Sequence, residues 1–346
     1  MSLLRIHEGL PEGLLALDAT QLHERLGGPT LIHLPGRREP PLFVAVLMHG
    51  NETTGWDVIR RVLQRYLVDG GLPRALSLFV ANTAAAAEGV RHLSDQPDFN
   101  RAWPGGEIAD GPVPATLRDV VGEMRARGLF AAVDVHNNTG LNPHYACVNV
   151  LDEQALHLAV LFSRTVVYFI RPRGVASMAM AALGPSVTLE CGKVGQAHGV
   201  HHTEEYLDAC LHLAALPAHP VPAHDLDLFH TVAVVKVPPE ISFGFGEQGY
   251  DIDFLVDLER YNFRELPPGS VFARVRAGGV VPLRVRDEQD AEVADRYFVV
   301  EDGELRTRRA VMPSMLTRDT AVIRQDCLCY LMERYPLDSS RRGGCR

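Results

Sequence analysis

The stretch Leu42–Thr53, LFVAVLMHGNET, constrains the fold more than any other part of the chain. An apolar run from Phe43 to Met48 is typical of a buried strand, and it changes abruptly to polar residues at His49. Side chains directly after such a strand lie at its carboxyl end, where open α/β sheets bind their ligands. There His49 and Glu52 can turn toward one point, which leads to the hypothesis of a metal site with zinc as its metal.

Apolar segments that read as buried strands alternate with amphipathic segments that read as helices along the first part of the chain. This alternation predicts an α/β fold with a mostly parallel mixed sheet flanked by helices. The predicted strands are Thr30–Leu34 (at an edge), Phe43–Met48, Leu76–Ala81, Phe130–Val135, Thr165–Ile170 and Ser186–Leu189; the predicted helices are Leu15–Leu26, Thr53–Val68, Pro114–Arg127, Gln154–Ser163 and Thr203–Leu216.

The pattern of apolar and polar residues changes after a linker rich in proline and histidine, Pro217–His224. Short alternating runs separated by glycine, proline and acidic turns then predict a C-terminal antiparallel β-domain. We therefore expect a catalytic domain over residues 1–220, a β-rich domain over 225–336 and a disordered tail over 337–346.

Composition narrows the classes of partner. The formal net charge of -9 gives no general attraction to nucleic acid or to an anionic membrane. No apolar stretch is long enough to cross a bilayer, and the first residues lack the unbroken apolar core of a signal peptide, so we expect a cytoplasmic protein.

The six cysteines form no CxxC pair and indicate no disulfide framework. The oligomeric state stays open, and a homo-oligomer is compatible with the sequence.

A third candidate metal ligand follows another predicted strand. His136 comes at the end of the run Phe130–Val135, so it can meet His49 and Glu52 if the two strands are neighbours. Two imidazoles and one carboxylate form a ligand set that zinc accepts while leaving a position open for water. Each of the fifteen histidines could instead be a satisfied polar residue, but the placement of all three ligands at strand ends favours the metal.

A fourth apolar segment, VTLECG, ends in Glu190. Beside a zinc site this carboxylate is suited to act as a general base and then as a general acid. The alternative is a structural glutamate paired with an arginine.

Two further sites offer cationic groups in an acidic chain. Asn100 and Arg101 combine an amide with a guanidinium, a pair that suits bidentate capture of a substrate carboxylate. The alternative for Arg101 is a salt bridge with Asp98 in the same loop. Arg91 could stabilise an oxyanion if it reaches the site, although any surface arginine would look the same in the sequence.

Four motifs together resemble the succinylglutamate desuccinylase/aspartoacylase family, a branch of the zinc carboxypeptidase (M14) superfamily. They are HGNET at 49–53, NTAAAAEGVRHL at 82–93 with DFNRAWPG at 98–105, DVHNNTG at 134–140 and TLECG at 188–192. The resemblance spans Leu42–Gly192 and extends more loosely to PPGSVFARV in the β-domain.

The resemblance implies a zinc-carboxypeptidase-like fold and hydrolysis of an amide bond by the promoted-water mechanism. It implies one zinc ion held by His49, Glu52 and His136, with Glu190 as the proton shuttle. It further implies that Arg91 polarises the scissile carbonyl. Asn100 and Arg101 would hold the substrate carboxylate.

The segment Tyr168–Gly184 departs from the substrate-side Tyr and Arg positions of aspartoacylases, so the substrate does not carry over. The role of the loop 243–251 also stays open. Our leading hypothesis is an amidohydrolase acting on a small N-acylated amino acid or a similar small-molecule carboxylate. The alternatives are a metallocarboxypeptidase acting on a peptide and a catalytically silent zinc-binding sensor.

Overall fold

The computed structural model describes residues 1–68, 70–246, 249–276 and 280–336. The predicted disordered tail over 337–346, and residues 247 and 248 of the loop 243–251, lie outside this description. The chain divides into two compact units. The first comprises residues 1–137 and 144–227, and the second comprises residues 138–143 together with the chain from Leu228 onward. The domain boundaries expected from the sequence stay a prediction.

The first unit alternates strands with helices along the chain. Its strands are β1 (Arg5–Glu8), β2 (Thr30–Leu34), β3 (Leu42–Val46), β4 (Leu76–Val80), β5 (Ala131–His136), β6 (Tyr145–Val148), β7 (Thr165–Tyr168) and β8 (Ser186–Glu190); its helices are α1 (Leu22–Leu26), α2 (Thr54–Val68), α3 (Thr83–Glu88), α4 (Pro112–Arg127), α5 (Glu153–Phe162), α6 (Ala176–Met180) and α7 (Ala197–His212).

These strands form one sheet in the order β1-β2-β4-β3-β5-β8-β6-β7. Two pairs, β2 with β4 and β6 with β8, are antiparallel, and all other pairs of this unit are parallel. The prediction of a mostly parallel mixed sheet flanked by helices is therefore confirmed. Because β3, β5 and β8 are adjacent and parallel, their carboxyl ends lie together at one edge of the sheet.

The sequence of α2 shows why a helix covers this sheet. Trp56, Ile59, Val62 and Leu63 recur at a spacing of three or four residues and are all buried. Asp57, Arg60 and Arg61 lie between these positions, so the helix has one apolar and one polar face. Burial of a large apolar side chain contributes about 1.5–3 kcal/mol, which makes packing of this face the main stabilisation of the helix.

Two local predictions for the first unit are wrong, and one strand was not predicted. Thr30–Leu34 is not an edge strand, because β1 pairs with it in parallel and takes the edge position. The expected helix Leu15–Leu26 breaks into a 3₁₀ turn at Leu14–Ala16 and the short helix α1, since the Asp18 backbone N–H donates to Gln21 Oε1 and starts a new turn. Strand β6 is not among the predicted strands.

The second unit is rich in short strands, most of them antiparallel. Its elements are β9 (Asp227–Lys236), β10 (Phe243–Phe245), β11 (Ile252–Phe254), β12 (Val271–Val275), β13 (Arg284–Asp287), α8 (Ala294–Tyr297), β14 (Phe298–Glu301), β15 (Glu304–Thr307), β16 (Met312–Ser314), α9 (Thr320–Gln325) and β17 (Cys329–Arg334). Four of the strands pair in the order β13-β9-β17-β16, and the other five form a sheet in the order β10-β11-β12-β15-β14. Only β10 and β11 pair in parallel among these described strands.

Buried aromatic and aliphatic residues, among them Phe254, Phe272 and Phe298, fill the core of the second unit. Within the described ranges, none of the helices has both the length and the apolar character that spanning a membrane requires.

Candidate metal site at the strand ends

A tight turn after β3 presents the first two candidate ligands. Leu47 adopts φ 58°, a left-handed conformation that costs a β-strand residue about 1 kcal/mol or more and turns the chain sharply out of the strand. Gly50 packs against the backbone of α3, where a Cβ atom would lie 2.2 Å from the Ala85 carbonyl carbon. Only glycine fits at this position, so the turn that carries His49 and Glu52 is held close to α3.

The side chains of His49, Glu52 and His136 converge at the carboxyl edge of the sheet. His49 Nδ1 lies 2.7 Å from Glu52 Oε1, and His136 Nδ1 lies 2.9 Å from Glu52 Oε2. One candidate ligand atom from each residue lies within 4.8 Å of the other two, and all three residues are buried. Two nitrogens and a carboxylate thus face one point.

Each imidazole also meets a carboxylate at its other nitrogen. His136 Nε2 lies 2.8 Å from Asp134 Oδ2, and His49 Nε2 lies 3.2 Å from Asp98 Oδ1. A neutral imidazole carries only one N–H, so a ring between two carboxylates needs a cation at its other nitrogen, either a second proton or a metal ion. Because both Nδ1 atoms face Glu52, a single cation would serve both rings. The donor set of two imidazoles and one carboxylate fits zinc.

The charges around this point favour the ionised forms of the carboxylates. Burial opposes the charge of Glu52, but His49 and His136 outweigh it and hold the pKa of this carboxyl well below its usual range. Burial likewise disfavours a charged His136, yet Asp134 and Glu52 raise its pKa well above the usual value. A group held this strongly in the protonated form also binds a metal cation in place of the proton, since metal and proton compete for the same lone pair.

The loop before α4 brings the predicted cationic residues to the same region. Arg91 Nη2 lies 3.1 Å from Asp98 Oδ2, and Arg91 Nη1 lies 3.9 Å from Glu52 Oε1. Asp98 Oδ1 accepts a hydrogen bond from the Asn100 backbone N–H and so caps the 3₁₀ turn that carries Arg101. Burial opposes the charge of Asp98, but His49, Arg91 and Arg101 hold the pKa of Asp98 well below normal.

Asn100 places its side-chain amide beside these charges. Its Oδ1 atom is buried and has no hydrogen-bond partner among the described residues. A buried polar atom without a partner costs about 1–3 kcal/mol, a cost that a bound ligand group would remove.

Glu190 ends β8 beside the last residue of β5. Its Cα is the register partner of His136, and the side chain is only 9% exposed. Asn137 ties the same strand ends to the turn after β3: its backbone N–H donates to Glu52 Oε2, and its Nδ2 donates to Thr54 Oγ1 and to the Gly192 carbonyl. The structure therefore brings every predicted site residue to this edge of the sheet, while the role of each stays a prediction.

A model of the succinylglutamate desuccinylase/aspartoacylase catalytic domain matches residues 40–212, which is half of the chain and includes all of these residues. The chain belongs to the succinylglutamate desuccinylase/aspartoacylase family. This is a family of hydrolases, named for enzymes that remove an acyl group from an amino acid. No curated protein sequence matches the chain.

Solved structures of this family share its fold at low sequence identity. A succinylglutamate desuccinylase/aspartoacylase from Rhodobacter sphaeroides has a TM-score of 0.58 at 16% identity, with 88% of each chain covered. The Chromobacterium violaceum succinylglutamate desuccinylase gives 0.55 at 17% identity, with 87% of each chain covered. Murine aminoacylase 3 gives 0.56 at 16% identity, covering 86% of this chain and 97% of that one. These similarities establish the fold across both units.

Sequence reasoning assigned no role at the metal site to three polar residues. Asp134 could have been predicted from the sequence, because it lies two residues before His136 in a strand and alternation places both side chains on one face. Asn137 directly follows His136 and had no signal beyond its position. Asp98 contacts a histidine 49 residues away in sequence, and no local pattern predicts such a contact.

Proposed function

We propose that this protein is a zinc-dependent amidohydrolase that removes the acyl group from a small N-acylated amino acid or a similar carboxylate. The observation that carries this proposal is the convergence of His49, Glu52 and His136 on one point with Glu190 on the neighbouring strand. Membership of a family of acyl-amino-acid hydrolases supports the reaction class.

His49 and His136 would hold the metal through Nδ1, and Glu52 would hold it through its carboxylate. Asp98 and Asp134 accept the opposite ring N–H groups, so each ring keeps the orientation and tautomer that leave Nδ1 free to bind. Zinc supplies a Lewis acid that polarises a carbonyl and makes water more acidic. The oxygen and nitrogen donors of this chain thus define where the reaction takes place.

Glu190 would move the proton. Its carboxylate takes a proton from the attacking water as the new carbon–oxygen bond forms, and it delivers that proton to the amide nitrogen as the carbon–nitrogen bond breaks. The products are the free carboxylic acid and the free amine. A side chain fixed at the end of a buried strand is well placed for this role, because its position requires no loop movement.

Arg91 and the turn around Arg101 would bind the substrate. Arg91 lies beside Glu52 and would stabilise the negative charge that develops on the scissile carbonyl oxygen. Asn100 Nδ2 and the Arg101 guanidinium would donate to the substrate carboxylate, and the buried, unpartnered Asn100 Oδ1 would accept from an N–H or O–H group of a ligand.

A substrate panel tests this proposal. The zinc-loaded protein is incubated with N-acetyl, N-succinyl and N-benzoyl amino acids and with tripeptides that end in the same amino acids, and released amine is quantified. Release from the N-acyl amino acids without cleavage of the tripeptides is the expected result. Cleavage of the tripeptides would instead identify a metallocarboxypeptidase, and a metal-loaded protein that cleaves neither set would be a sensor.

A further inference from the structure

The face of the sheet that carries Glu190 contains a set of partly accessible polar residues. Thr188 and Cys147 are register partners on β8 and β6, and alternation places Thr188 on the same face as Glu190. Both are 7% exposed, whereas Val187 and Leu189, which alternate with them, are fully buried. A small solvent-accessible area therefore remains on this face, on the strand that carries the proposed proton shuttle.

Two further polar residues complete this surface. Asn149 follows β6 and is 8% exposed, and Ser177, only 1% exposed, lies on α6, which packs over β8. We call the four residues the pocket floor: Cys147, Asn149, Ser177 and Thr188. Ser177 belongs to the segment Tyr168–Gly184, where this chain departs from the substrate-side pattern of aspartoacylases.

A chain of three hydrogen bonds runs through the pocket floor, and its direction is determined. Asn149 Nδ2 donates to the Phe169 carbonyl, so Asn149 Oδ1 is the atom 2.7 Å from Ser177 Oγ, and Ser177 must donate to it. With that proton committed, the 2.8 Å contact between Thr188 Oγ1 and Ser177 Oγ requires Thr188 to donate. The Thr188 oxygen is left with lone pairs and no proton, so it can only accept from a ligand.

The charges near Thr188 also disfavour a carboxylate on the ligand. Asp134 is its register partner on β5 and is 2% exposed, and Glu190 lies two residues away on the same face. A carboxylate at the pocket floor would accept no hydrogen bond from Thr188 and would face two like charges.

Resting on the proposed function, we propose that the pocket floor selects substrates whose second polar group is an uncharged hydrogen-bond donor, a hydroxyl or a carboxamide, and excludes those with a second carboxylate. A carboxamide suits the floor because its NH₂ donates to Thr188 Oγ1. The substrate class is therefore an N-acyl amino acid with one carboxylate, held by Arg101. It differs from acylated aspartate, acylated glutamate and succinylated amino acids.

Isosteric substrate pairs test this inference. N-acetylglutamine and N-acetylglutamate have side chains of the same shape that differ in charge and in donor or acceptor character, and N-succinamoylalanine and N-succinylalanine make the same comparison on the acyl group. In at least one pair kcat/KM should favour the carboxamide by about 10- to 100-fold, the effect of leaving a buried polar group unpaired. Equal or higher values for the carboxylate in both pairs would overturn the inference. The pair that shows the preference identifies which end of the substrate enters the pocket.

Substitutions assign the preference to the hydroxyl chain. Thr188→Val should lower the carboxamide-to-carboxylate ratio several-fold, since only the like charges of Asp134 and Glu190 then disfavour the carboxylate, and Thr188→Ser should retain the wild-type ratio. Ser177→Ala removes the acceptor for the Thr188 proton, so Thr188 can then donate and the ratio should also fall. Thr30→Val is the matched control: Thr30 is a buried strand threonine that bonds Gly28 O, and its loss should leave the ratio unchanged. An unchanged ratio in Thr188→Val and Ser177→Ala would contradict the assignment.

Binding separates this inference from the proposed function. If the wild type hydrolyses both members of each pair without preference, the inference fails and the proposed function stands. If it hydrolyses none of them, calorimetry measures their binding to the zinc-loaded protein directly. Tighter binding of a carboxamide would then support the pocket floor while the proposed hydrolysis fails, and equal or weaker binding would overturn both.

Discussion

His136 and Glu190 occupy paired positions at the ends of two neighbouring parallel strands. Residues paired in this way point to the same face of a sheet, so a candidate metal ligand and a candidate proton shuttle lie side by side on rigid elements. The separate roles that we propose for the two glutamates follow from this pairing. Glu52 contacts both histidines, whereas Glu190 lies beside them and is not one of the three candidate ligands. The predictions below test the two roles separately.

Replacement of Glu190 should remove catalysis without removing the metal. Glu190→Gln keeps the size of the side chain but cannot take up a proton, and loss of general acid–base catalysis lowers kcat by about 10²- to 10⁴-fold. Steady-state kinetics and metal analysis of the same preparation check this result. A variant with wild-type kcat would refute the proton-transfer role, and one without metal would place Glu190 among the ligands.

Replacement of Glu52 should remove the metal itself. Glu52→Gln removes the charge that faces both histidines, and we expect the purified protein to contain much less than one zinc per chain. Glu204→Gln is a suitable control, because Glu204 is also buried but pairs with Arg65 between α2 and α7. Atomic absorption of both variants provides the comparison, and full zinc content in Glu52→Gln would be incompatible with the ligand set.

Asp134 should act on the metal through His136. Asp134→Asn weakens the acceptor that orients the ring, and such a change typically lowers metal affinity by about 10- to 100-fold. Competition with a chelator of known affinity measures the effect. Asp208→Asn, which affects the contact with Tyr66, should leave the affinity at its wild-type value. Equal affinities for the two variants would show that Asp134 does not support the ligand.

Arg101 should determine the affinity for the substrate carboxylate. Arg101→Ala is expected to raise KM by about 10-fold or more with a smaller change in kcat, because the contact is made in the ground state as well as in the transition state. Arg101→Lys should restore this only partly, since lysine lacks the planar fork of guanidinium donors. A substrate with its α-carboxylate replaced by a carboxamide should be insensitive to both changes. Equal sensitivity of the two substrates would argue against carboxylate binding by Arg101.

Much of the site was predictable because its residues follow strands. In a parallel sheet the carboxyl ends of neighbouring strands meet at one edge, so polar residues after three apolar runs were expected to converge. The positions of His49, His136 and Glu190 in the fold agree with this expectation. The same reasoning could have placed Asp134 at the site, since residues i and i+2 of a strand share a face.

Other features depend on contacts that no local pattern encodes. The four residues of β1, RIHE, are all exposed and show no apolar period, so the strand that displaces Thr30–Leu34 from the sheet edge left no signal. Strand β6 has only four residues and follows a polar loop that ends in Pro143 and His144. The direction of the hydrogen bonds between Asn149, Ser177 and Thr188 required the positions of three separate elements.

A zinc titration of the metal-depleted enzyme tests the central claim most directly. The initial rate of N-acyl amino acid hydrolysis is measured while zinc is added in fractions of an equivalent. We predict no activity without metal, a linear rise and saturation at one zinc per chain, as expected for a single site formed by His49, Glu52 and His136. Full activity before zinc is added, or saturation only at two or more equivalents, would contradict this account.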